Sequence, residues 1–263
     1  MISDRIIKAL QIYTKKANVA ITSRGNDAIF KAFEILKREG CKNILFPDQA
    51  GWWKCPDIAK KVGLEFAFFE TKDGLLDIDL LGKFVGNYDS LYICSLGGYY
   101  VEQPLFEIYQ VCRDNDCLLI VDACSGIGVN GLCDIGDIIL GSFGRWKVVD
   151  YGNYGFIASN FNFDFNSLVV EDFLLLEKLE NASIRFNFLV SLNFEIKKEL
   201  NNFKVYFPES RSLNVVVEKN EWVLEYCNRK GYEYKLCPFY NRINKDAISI
   251  EVKRLNFGGL DGK

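Results

Sequence analysis

Three residues in the middle of the chain could together carry out chemistry on an amine: Asp122, Ser142 and Lys147. Asp122 ends the apolar segment CLLIVD, Ser142 follows it after 20 residues and Lys147 after 25. The carboxylate could hold a protonated ring nitrogen, the hydroxyl could bind a phosphate, and the lysine amine could attack a carbonyl carbon. Each residue also has a simpler explanation, because Asp122 could cap the next turn and most lysines are solvated. The chemistry therefore depends on whether the fold brings the three side chains together.

The chain contains no histidine. This excludes Ser-His-Asp and Cys-His nucleophilic systems and every metal site built on histidine. Any proton transfer near neutral pH must then use lysine, tyrosine, cysteine, a carboxylate or a cofactor. The composition therefore favours mechanisms in which a lysine acts as the base.

The overall composition is typical of a globular protein, with 263 residues, 49% hydrophobic and 25% charged. This length suits one large domain, or a large domain with a small one. The net charge of −3 gives no electrostatic reason to expect nucleic acid or an anionic membrane as a partner. No apolar segment approaches the roughly 20 residues that span a bilayer. We therefore expect small-molecule partners, no nucleic acid and no membrane.

The cysteines and the first residues indicate where the protein works. The segment MISDRIIKAL is typical of an amphipathic helix and not of a signal peptide. Nine cysteines is an odd number, they lack CxxC spacing, and most lie in apolar segments. This pattern favours reduced thiols over disulfides or a zinc site, and predicts a cytoplasmic protein.

Hydrophobic periodicity over the first two-thirds of the chain predicts helices that alternate with strands. The predicted helices lie near residues 6–13, 28–36, 56–62 and 104–113. The predicted strands are residues 43–47, 65–69, 88–96, 117–123, 137–140 and 154–158. Strands that alternate with helices in this way predict an α/β fold with a mainly parallel sheet flanked by helices.

The pattern changes after about residue 165. A long helical pattern extends over residues 169–200 and predicts one connecting helix. Shorter predicted elements follow, namely strands at 203–207, 213–217, 233–236 and 247–252 and a helix at 221–230. We therefore expect a large α/β domain in residues 1–165, and the connecting helix with a small α+β C-terminal domain in residues 166–263.

Ligands of parallel α/β sheets bind beyond the carboxyl ends of the strands, and two segments there complete a possible site. In SRGNDAIFKAFEIL, Gly25 permits a tight turn and close backbone approach, and Asn26 begins a helix whose amides could bind a phosphate. A plain helix cap would explain the same residues. In FPDQAGWWK, Trp52 or Trp53 could cover an aromatic ring, although both could equally be core or interface residues. With Asp122, Ser142 and Lys147, these are the parts that pyridoxal 5′-phosphate (PLP) requires.

Four segments resemble the motifs of a known family. Residues 142–147 read Ser-Phe-Gly-Arg-Trp-Lys and match Ser-Phe-x-x-x-Lys in full, and residues 122–125 read Asp-Ala-Cys-Ser against Asp-Ala-Ala-(His/Gln). Residues 25–29 stand in place of Gly-Thr-x-Ala-Leu, and residues 100–104 echo Tyr-Gly-Gln-Pro. Their order and spacing resemble fold-type I PLP enzymes, specifically the DegT/DnrJ/EryC1/StrS sugar aminotransferases. The resemblance covers roughly residues 20–160.

The resemblance implies a role for each candidate residue. Lys147 would bind PLP as a Schiff base and move the substrate proton, and Asp122 would keep the pyridine nitrogen protonated. The remaining cofactor contacts would be phosphate ligands at Ser142, Gly25 and Asn26, a ring-stacking aromatic at Trp52, and Ser125 beside the ring. Asn26 and Ser125 depart from the family pattern, the chain is short for a member, and the family implies a homodimer.

Several functions remain open. A PLP-dependent aminotransferase acting on a keto-sugar or another small keto substrate is the first, and other PLP chemistry such as elimination or a lyase reaction uses the same parts. A degenerate, non-catalytic scaffold is the second, and a nucleotide-binding doubly wound domain is the last because no G-x-G-x-x-G follows the first strand. Arg242 or Arg254 could hold a substrate carboxylate, and the sequence does not choose between them.

Overall fold

The computed structural model describes residues 1–238 and 243–255. Its helices are α1 (Ile2–Thr14), α2 (Gly25–Arg38), α3 (Cys55–Val62), α4 (Ile78–Phe84), α5 (Leu105–Asp114), α6 (Phe173–Glu180), α7 (Ala182–Glu199) and α8 (Glu221–Lys230). Its strands are β1 (Asn18–Thr22), β2 (Asn43–Pro47), β3 (Glu65–Phe69), β4 (Ser90–Cys94), β5 (Leu96–Gly97), β6 (Val101–Glu102), β7 (Leu118–Asp122), β8 (Ile138–Ser142), β9 (Gly155–Ser159), β10 (Val215–Glu218), β11 (Tyr234–Leu236) and β12 (Ala247–Ile250).

The central sheet has seven strands in the order β1-β9-β8-β7-β4-β2-β3. Within the described part of the chain, β9 alone runs opposite to the other strands of this sheet. The strands are apolar along most of their length because helices cover both faces, as parallel sheets require. The expected α/β fold with a mainly parallel sheet flanked by helices is confirmed.

Alternate residues of one strand show how the layers pack. In β7, Leu119 and Val121 point to a core shared with α1, α5, α6 and α7, whereas Ile120 points to a core shared with α2 and α3. Side chains alternate between the two faces of a strand, so one apolar segment serves two helix layers. The carboxyl ends of β7 and its parallel neighbours are thereby fixed at one edge of a three-layer sandwich.

The C-terminal part contains an antiparallel sheet in the order β10-β12-β11, with α8 beside it. The expected α+β character of this region is confirmed, and the boundary at residues 165 and 166 remains a prediction. The single connecting helix predicted over 169–200 is wrong, because Asp172 caps α6 through the amides of Leu174 and Leu175 and Asn181 separates α6 from α7.

One further local prediction is wrong, and some short elements were not predicted. The strand expected at 203–207 is a turn, with Phe207 at a φ of 48° and only Val205 bridged to Val217. Neither the seven-residue helix α4 nor β1, an edge strand whose partner among the described residues is β9, was predicted. Among residues 1–238 and 243–255, none of the helices combines the length and apolar character needed to cross a lipid bilayer.

Candidate active site

A cavity of about 300 Å³ lies at the carboxyl edge of the central sheet. It is bounded by the ends of β7 and β8, the N-terminus of α2 and the loop after β2. All seven residues predicted as site residues line it, and they are Gly25, Asn26, Trp52, Asp122, Ser125, Ser142 and Lys147. The fold therefore brings together side chains that are up to 122 positions apart in the sequence.

Asp122 is held by three donors at the end of β7. Its Oδ1 accepts hydrogen bonds from the Cys124 amide at 3.0 Å and from the Cys124 thiol, and its Oδ2 accepts one from the Tyr92 hydroxyl at 2.8 Å. Burial, together with the Asp122 charge, raises the pKa of both Cys124 and Tyr92 well above their ordinary values, so both remain donors. A carboxylate has about four acceptor positions, so these donors leave about one for a group in the cavity.

Lys147 lies in the loop between β8 and β9, and its Nζ donates a hydrogen bond to the Tyr99 hydroxyl. The same ammonium lies 4.7 Å from the centre of the Tyr99 ring. Burial disfavours the charged form, but the Asp122 carboxylate and the hydrogen bond to the Tyr99 hydroxyl favour it, and the pKa of Lys147 lies well above its ordinary value. In this structure Lys147 is therefore a protonated amine held on the cavity wall.

The N-terminus of α2 meets the end of β8 at Gly25 and Ser142. A Cβ added at Gly25 would lie 2.8 Å from the Ser142 Cβ, so any larger residue would push the two segments apart. This is an approach of two protein segments, and the close approach of the Gly25 backbone to a phosphate stays a prediction. The first amides of a helix lack acceptors within the helix, and the Ser142 hydroxyl lies beside them. This end of the cavity can therefore bind an anion.

Trp52 and Asn26 form a second contact at the cavity mouth. The Trp52 indole Nε1 donates to the Asn26 Oδ1 at 2.8 Å, which leaves the Asn26 amide nitrogen as a donor. Trp53 is 55% exposed and its ring is 5.0 Å from the Lys54 ammonium. Of the two tryptophans, Trp52 is thus the one fixed to another site residue. Ser125 is buried on the cavity wall beyond Asp122.

Sequence reasoning missed several residues of the site. Tyr99, Arg24, Cys94 and Cys124 line the cavity, and Tyr92 holds Asp122 from behind. Tyr100, the first residue of the segment that echoes Tyr-Gly-Gln-Pro, donates a hydrogen bond from its hydroxyl to the Asp73 carbonyl oxygen. Its neighbour Tyr99 is the one that reaches Lys147.

Four residues of the region have left-handed backbone although none is glycine, with φ between 61° and 67°: Ala50, Tyr99, Trp146 and Tyr154. Such conformations cost about 1 kcal/mol or more each and persist where surrounding contacts impose them. Two of them, Ala50 and Tyr99, line the cavity, and Trp146 directly precedes Lys147. The loops that carry the candidate site are therefore constrained and not freely adjustable.

The two arginines considered for a substrate carboxylate do not extend the site. Arg242 lies outside the described residues. Arg254 forms ion pairs with Glu233 at 2.7 Å and Glu251 at 3.3 Å, and its guanidinium lies 4.0 Å from the centre of the Trp146 ring. The Arg254 charge is therefore balanced by carboxylates of the protein itself.

A known sequence family matches part of this chain, and known structures match nearly all of it. The sequence pattern of the MJ1341 family C-terminal domain matches residues 184–263. No curated protein sequence matches the chain. A DegT DnrJ EryC1 StrS aminotransferase from Brucella abortus is 16% identical with a TM-score of 0.71, over 99% of this chain and 87% of that one.

Two further solved structures are similar. The E. coli GDP-4-keto-6-deoxy-D-mannose-3-dehydratase with bound hydrated PLP is 12% identical with a TM-score of 0.72, over 95% of this chain and 87% of that one. NtdA from Bacillus subtilis with bound cofactor PMP is 15% identical with a TM-score of 0.71, over 98% of this chain and 74% of that one. The chain therefore has the fold of the fold-type I PLP-dependent transferases.

Proposed function

We propose that this protein binds PLP and is a PLP-dependent transferase, specifically an aminotransferase of the DegT/DnrJ/EryC1/StrS type. The amino group would pass from a small-molecule donor to a keto-sugar or another small keto compound. The observation that supports this most is that Asp122, Ser142 and Lys147 meet with the N-terminus of α2 on one cavity. The structural neighbours with bound PLP or PMP support the same cofactor.

The residues present fit the cofactor at each of its ends. The N-terminus of α2 and the Ser142 hydroxyl meet without a side chain between them, because residue 25 is glycine. About one acceptor position of the Asp122 carboxylate remains for a ring N–H, as its three donors leave room. When bound, PLP supplies an electron sink for the pair released from a substrate carbon.

The chain's own residues would divide the remaining work. The Lys147 amine would bind the cofactor and, once released, would carry the substrate proton, which suits a chain without histidine. Asp122 would hold the ring nitrogen in its protonated form. Ser142 and the amides of Gly25 and Asn26 would hold the phosphate.

Trp52 would cover one face of the ring, and Ser125 would lie near its edge. The hydrogen bond from Trp52 to Asn26 links the covering residue to the proposed phosphate end. A ring fixed in this way excludes water from one face of the cofactor.

Elimination is the second candidate, because the E. coli dehydratase has the same fold and bound PLP. Both candidates need Asp122 and Lys147, and they differ in which substrate bond the pocket orients. A non-catalytic scaffold would need neither residue. We further propose a homodimer in the cytoplasm, with residues 1–165 as the cofactor domain and residues 166–263 as the smaller domain.

The first experiment tests cofactor binding at Lys147. The purified protein should take up PLP, and borohydride reduction followed by peptide mapping should locate the cofactor on Lys147. Lys147→Ala should remove the covalent label while the protein stays folded. Lys8→Ala, an exposed lysine of α1, is the matched control and should be labelled like the wild type. A protein that stays colourless with excess PLP would contradict the proposal.

The second measurement separates amine transfer from elimination. Glutamate is the first donor to test, and transfer should convert bound PLP to its pyridoxamine form with release of 2-oxoglutarate. A holoprotein that binds PLP but exchanges with no amino donor would favour elimination.

A further inference from the structure

Tyr99 lies between two lysines from different parts of the chain. Its hydroxyl accepts the hydrogen bond from Lys147, and its ring centre is 4.7 Å from the Lys147 ammonium and 4.3 Å from the Lys253 ammonium. Lys253 follows β12 and belongs to the region matched by the MJ1341 family C-terminal domain. A single aromatic ring therefore connects the proposed cofactor lysine with the C-terminal region.

The backbone of Tyr99 is tied to the same region. Its carbonyl oxygen accepts hydrogen bonds from the amides of Leu213 at 2.9 Å and Asn214 at 3.0 Å. The Asn214 Oδ1 in turn accepts one from the Lys253 ammonium at 3.1 Å. Since Tyr99 also has a left-handed φ of 67°, these contacts explain why the chain holds this conformation.

Lys253 is held inside the protein with only 1% exposure. Its ammonium contacts the Glu251 carboxylate, which also accepts hydrogen bonds from Ser249 and Asn214 and pairs with Arg254. Burial lowers the pKa of Lys253 to about 8, and the charge of Glu251 opposes that shift. Lys253 is therefore charged at neutral pH and loses its charge in mildly alkaline solution.

We propose that Tyr99 and Lys253 are positioning residues for Lys147, so that the C-terminal domain helps to set whether the Lys147 amine is protonated. The inference rests on the proposed function, because it concerns the lysine that would bind PLP. Its physical basis is that the Tyr99 hydroxyl accepts from the charged amine, whereas the Lys253 ammonium repels it across the ring. Among the described residues, the titratable groups that face Lys147 are those of Asp122, Cys94, Cys124, Tyr99 and Lys253.

The two residues act in opposite directions. Tyr99→Phe removes the hydrogen-bond acceptor of the ammonium, so the pKa of Lys147 should fall. Lys253→Met removes a nearby positive charge, so the pKa of Lys147 should rise, but only at a pH where Lys253 carries its charge. A difference of one pKa unit changes the fraction of neutral amine, and hence its rate of reaction, about tenfold.

The test uses the cofactor-free protein and the rate of reductive methylation of Lys147 by formaldehyde, followed by peptide mass spectrometry. At about pH 7, Tyr99→Phe should react about tenfold faster than the wild type and Lys253→Met about threefold slower. At about pH 9.5, above the Lys253 pKa of about 8, Lys253→Met and the wild type should react at the same rate. If Lys253→Met slowed methylation by distorting the structure, the difference in rate from the wild type would persist at the higher pH.

Lys197→Met is the matched control. Lys197 is a second buried lysine of the C-terminal region with a pKa lowered to about 8 by burial, and it binds the carbonyl oxygens of Phe207 and Ser210 and the Ser212 hydroxyl. Its loss should leave Lys147 methylation at the wild-type rate. Equal slowing in the Lys197→Met and Lys253→Met proteins would overturn the proposal, as would a Lys253→Met effect that persists at about pH 9.5.

If the Lys253→Met protein does not fold, the Tyr99→Phe protein still tests the proposal, because phenylalanine keeps the aromatic ring and the backbone. A rate equal to or below that of the wild type would overturn the proposal. All these rates are measured without PLP, so they do not depend on the proposed function. If the proposed function fails, the protein will not bind PLP, but the methylation rate of Lys147 will still change with Tyr99→Phe and Lys253→Met.

Discussion

Gly25 is a residue at which the candidate site leaves no room for a side chain. Its substitution by alanine would place a Cβ 2.8 Å from the Cβ and 3.2 Å from the Oγ of Ser142. The Ser142 Cβ cannot rotate away, so α2 and the end of β8 must separate. The glycine is therefore required by a close approach between segments and not by a left-handed backbone.

Gly25→Ala should destabilise the protein by about 1–3 kcal/mol and weaken PLP binding by about tenfold or more, because the phosphate end is widened. Urea unfolding and a PLP titration measure the two effects. Gly82→Ala is the control, since an added Cβ in α4 would meet only Val111 at 4.0 Å and alanine favours the helix. If Gly25→Ala binds PLP like the wild type, Gly25 is not at the phosphate.

Some of the site residues could be predicted from the sequence, and others could not. Asp122 and Ser142 were predictable because each ends a strand, where ligands of this fold bind, and Lys147 because its spacing from Asp122 resembles that of the family. Tyr92 was not, since its position inside β4 looks like any buried aromatic residue until its hydroxyl is found 2.8 Å from Asp122. Tyr99 reaches Lys147 only through a left-handed turn, which no periodicity indicates.

At the scale of elements, β9 fixes the relative positions of the two segments that form the phosphate end. It pairs with β1 on one side and β8 on the other, and those strands lead to α2 and end at Ser142 respectively. Gly155 begins β9, where an added Cβ would lie 2.8 Å from the Arg24 carbonyl carbon and 2.8 Å from the Gly141 carbonyl oxygen. Both are backbone atoms, so neither can yield without moving a strand.

Gly155→Ala should therefore cost about 2–4 kcal/mol of unfolding free energy, because β1 and β8 must both shift. Chemical denaturation gives the value. Gly144→Ala should cost less, because among the described residues its Cβ would meet the Ser142 hydroxyl oxygen alone, at 3.2 Å. If the two substitutions lowered the unfolding free energy equally, the strands around Gly155 would be shown to adjust freely.

The strand and helix predictions succeeded where the local sequence marks the element and failed where the element depends on a partner distant in the sequence. β2 and α8 begin and end where the sequence indicated, because one is a continuously apolar segment and the other has a cap at Asn220 and a glycine after it. β1 was missed since its partner among the described residues is β9, 133 residues later by the register of Thr22 with Gly155. Such a pairing depends on the whole sheet and leaves little local trace.

For the molecule as a whole, stability should depend on pH through its buried lysines. The Lys197 pKa is lowered from 10.5 to about 8, so the unfolded chain binds its proton more tightly than the folded one. The stabilising contribution of this group is then present above pH 10.5 and is lost as the pH falls to about 8.

The unfolding free energy of the wild type relative to Lys197→Met should accordingly rise by about 3 kcal/mol between pH 8 and pH 10.5. Urea unfolding of both proteins at the two pH values measures the change, and other titrating groups cancel in the comparison. Lys8→Met, at an exposed position, should show no such rise. A constant difference between wild type and Lys197→Met would mean that the Lys197 pKa is unshifted in the folded protein.

The hydrogen bonds from Leu213 and Asn214 to the Tyr99 carbonyl oxygen have a consequence for hydrogen exchange. These two amides can exchange with solvent only when the Tyr99 turn separates from the C-terminal sheet. A ligand in the cavity that Tyr99 lines stabilises the closed arrangement and lowers the population of the separated one. Deuterium uptake at residues 213 and 214 should then slow when PLP is added, although neither amide belongs to the cavity wall.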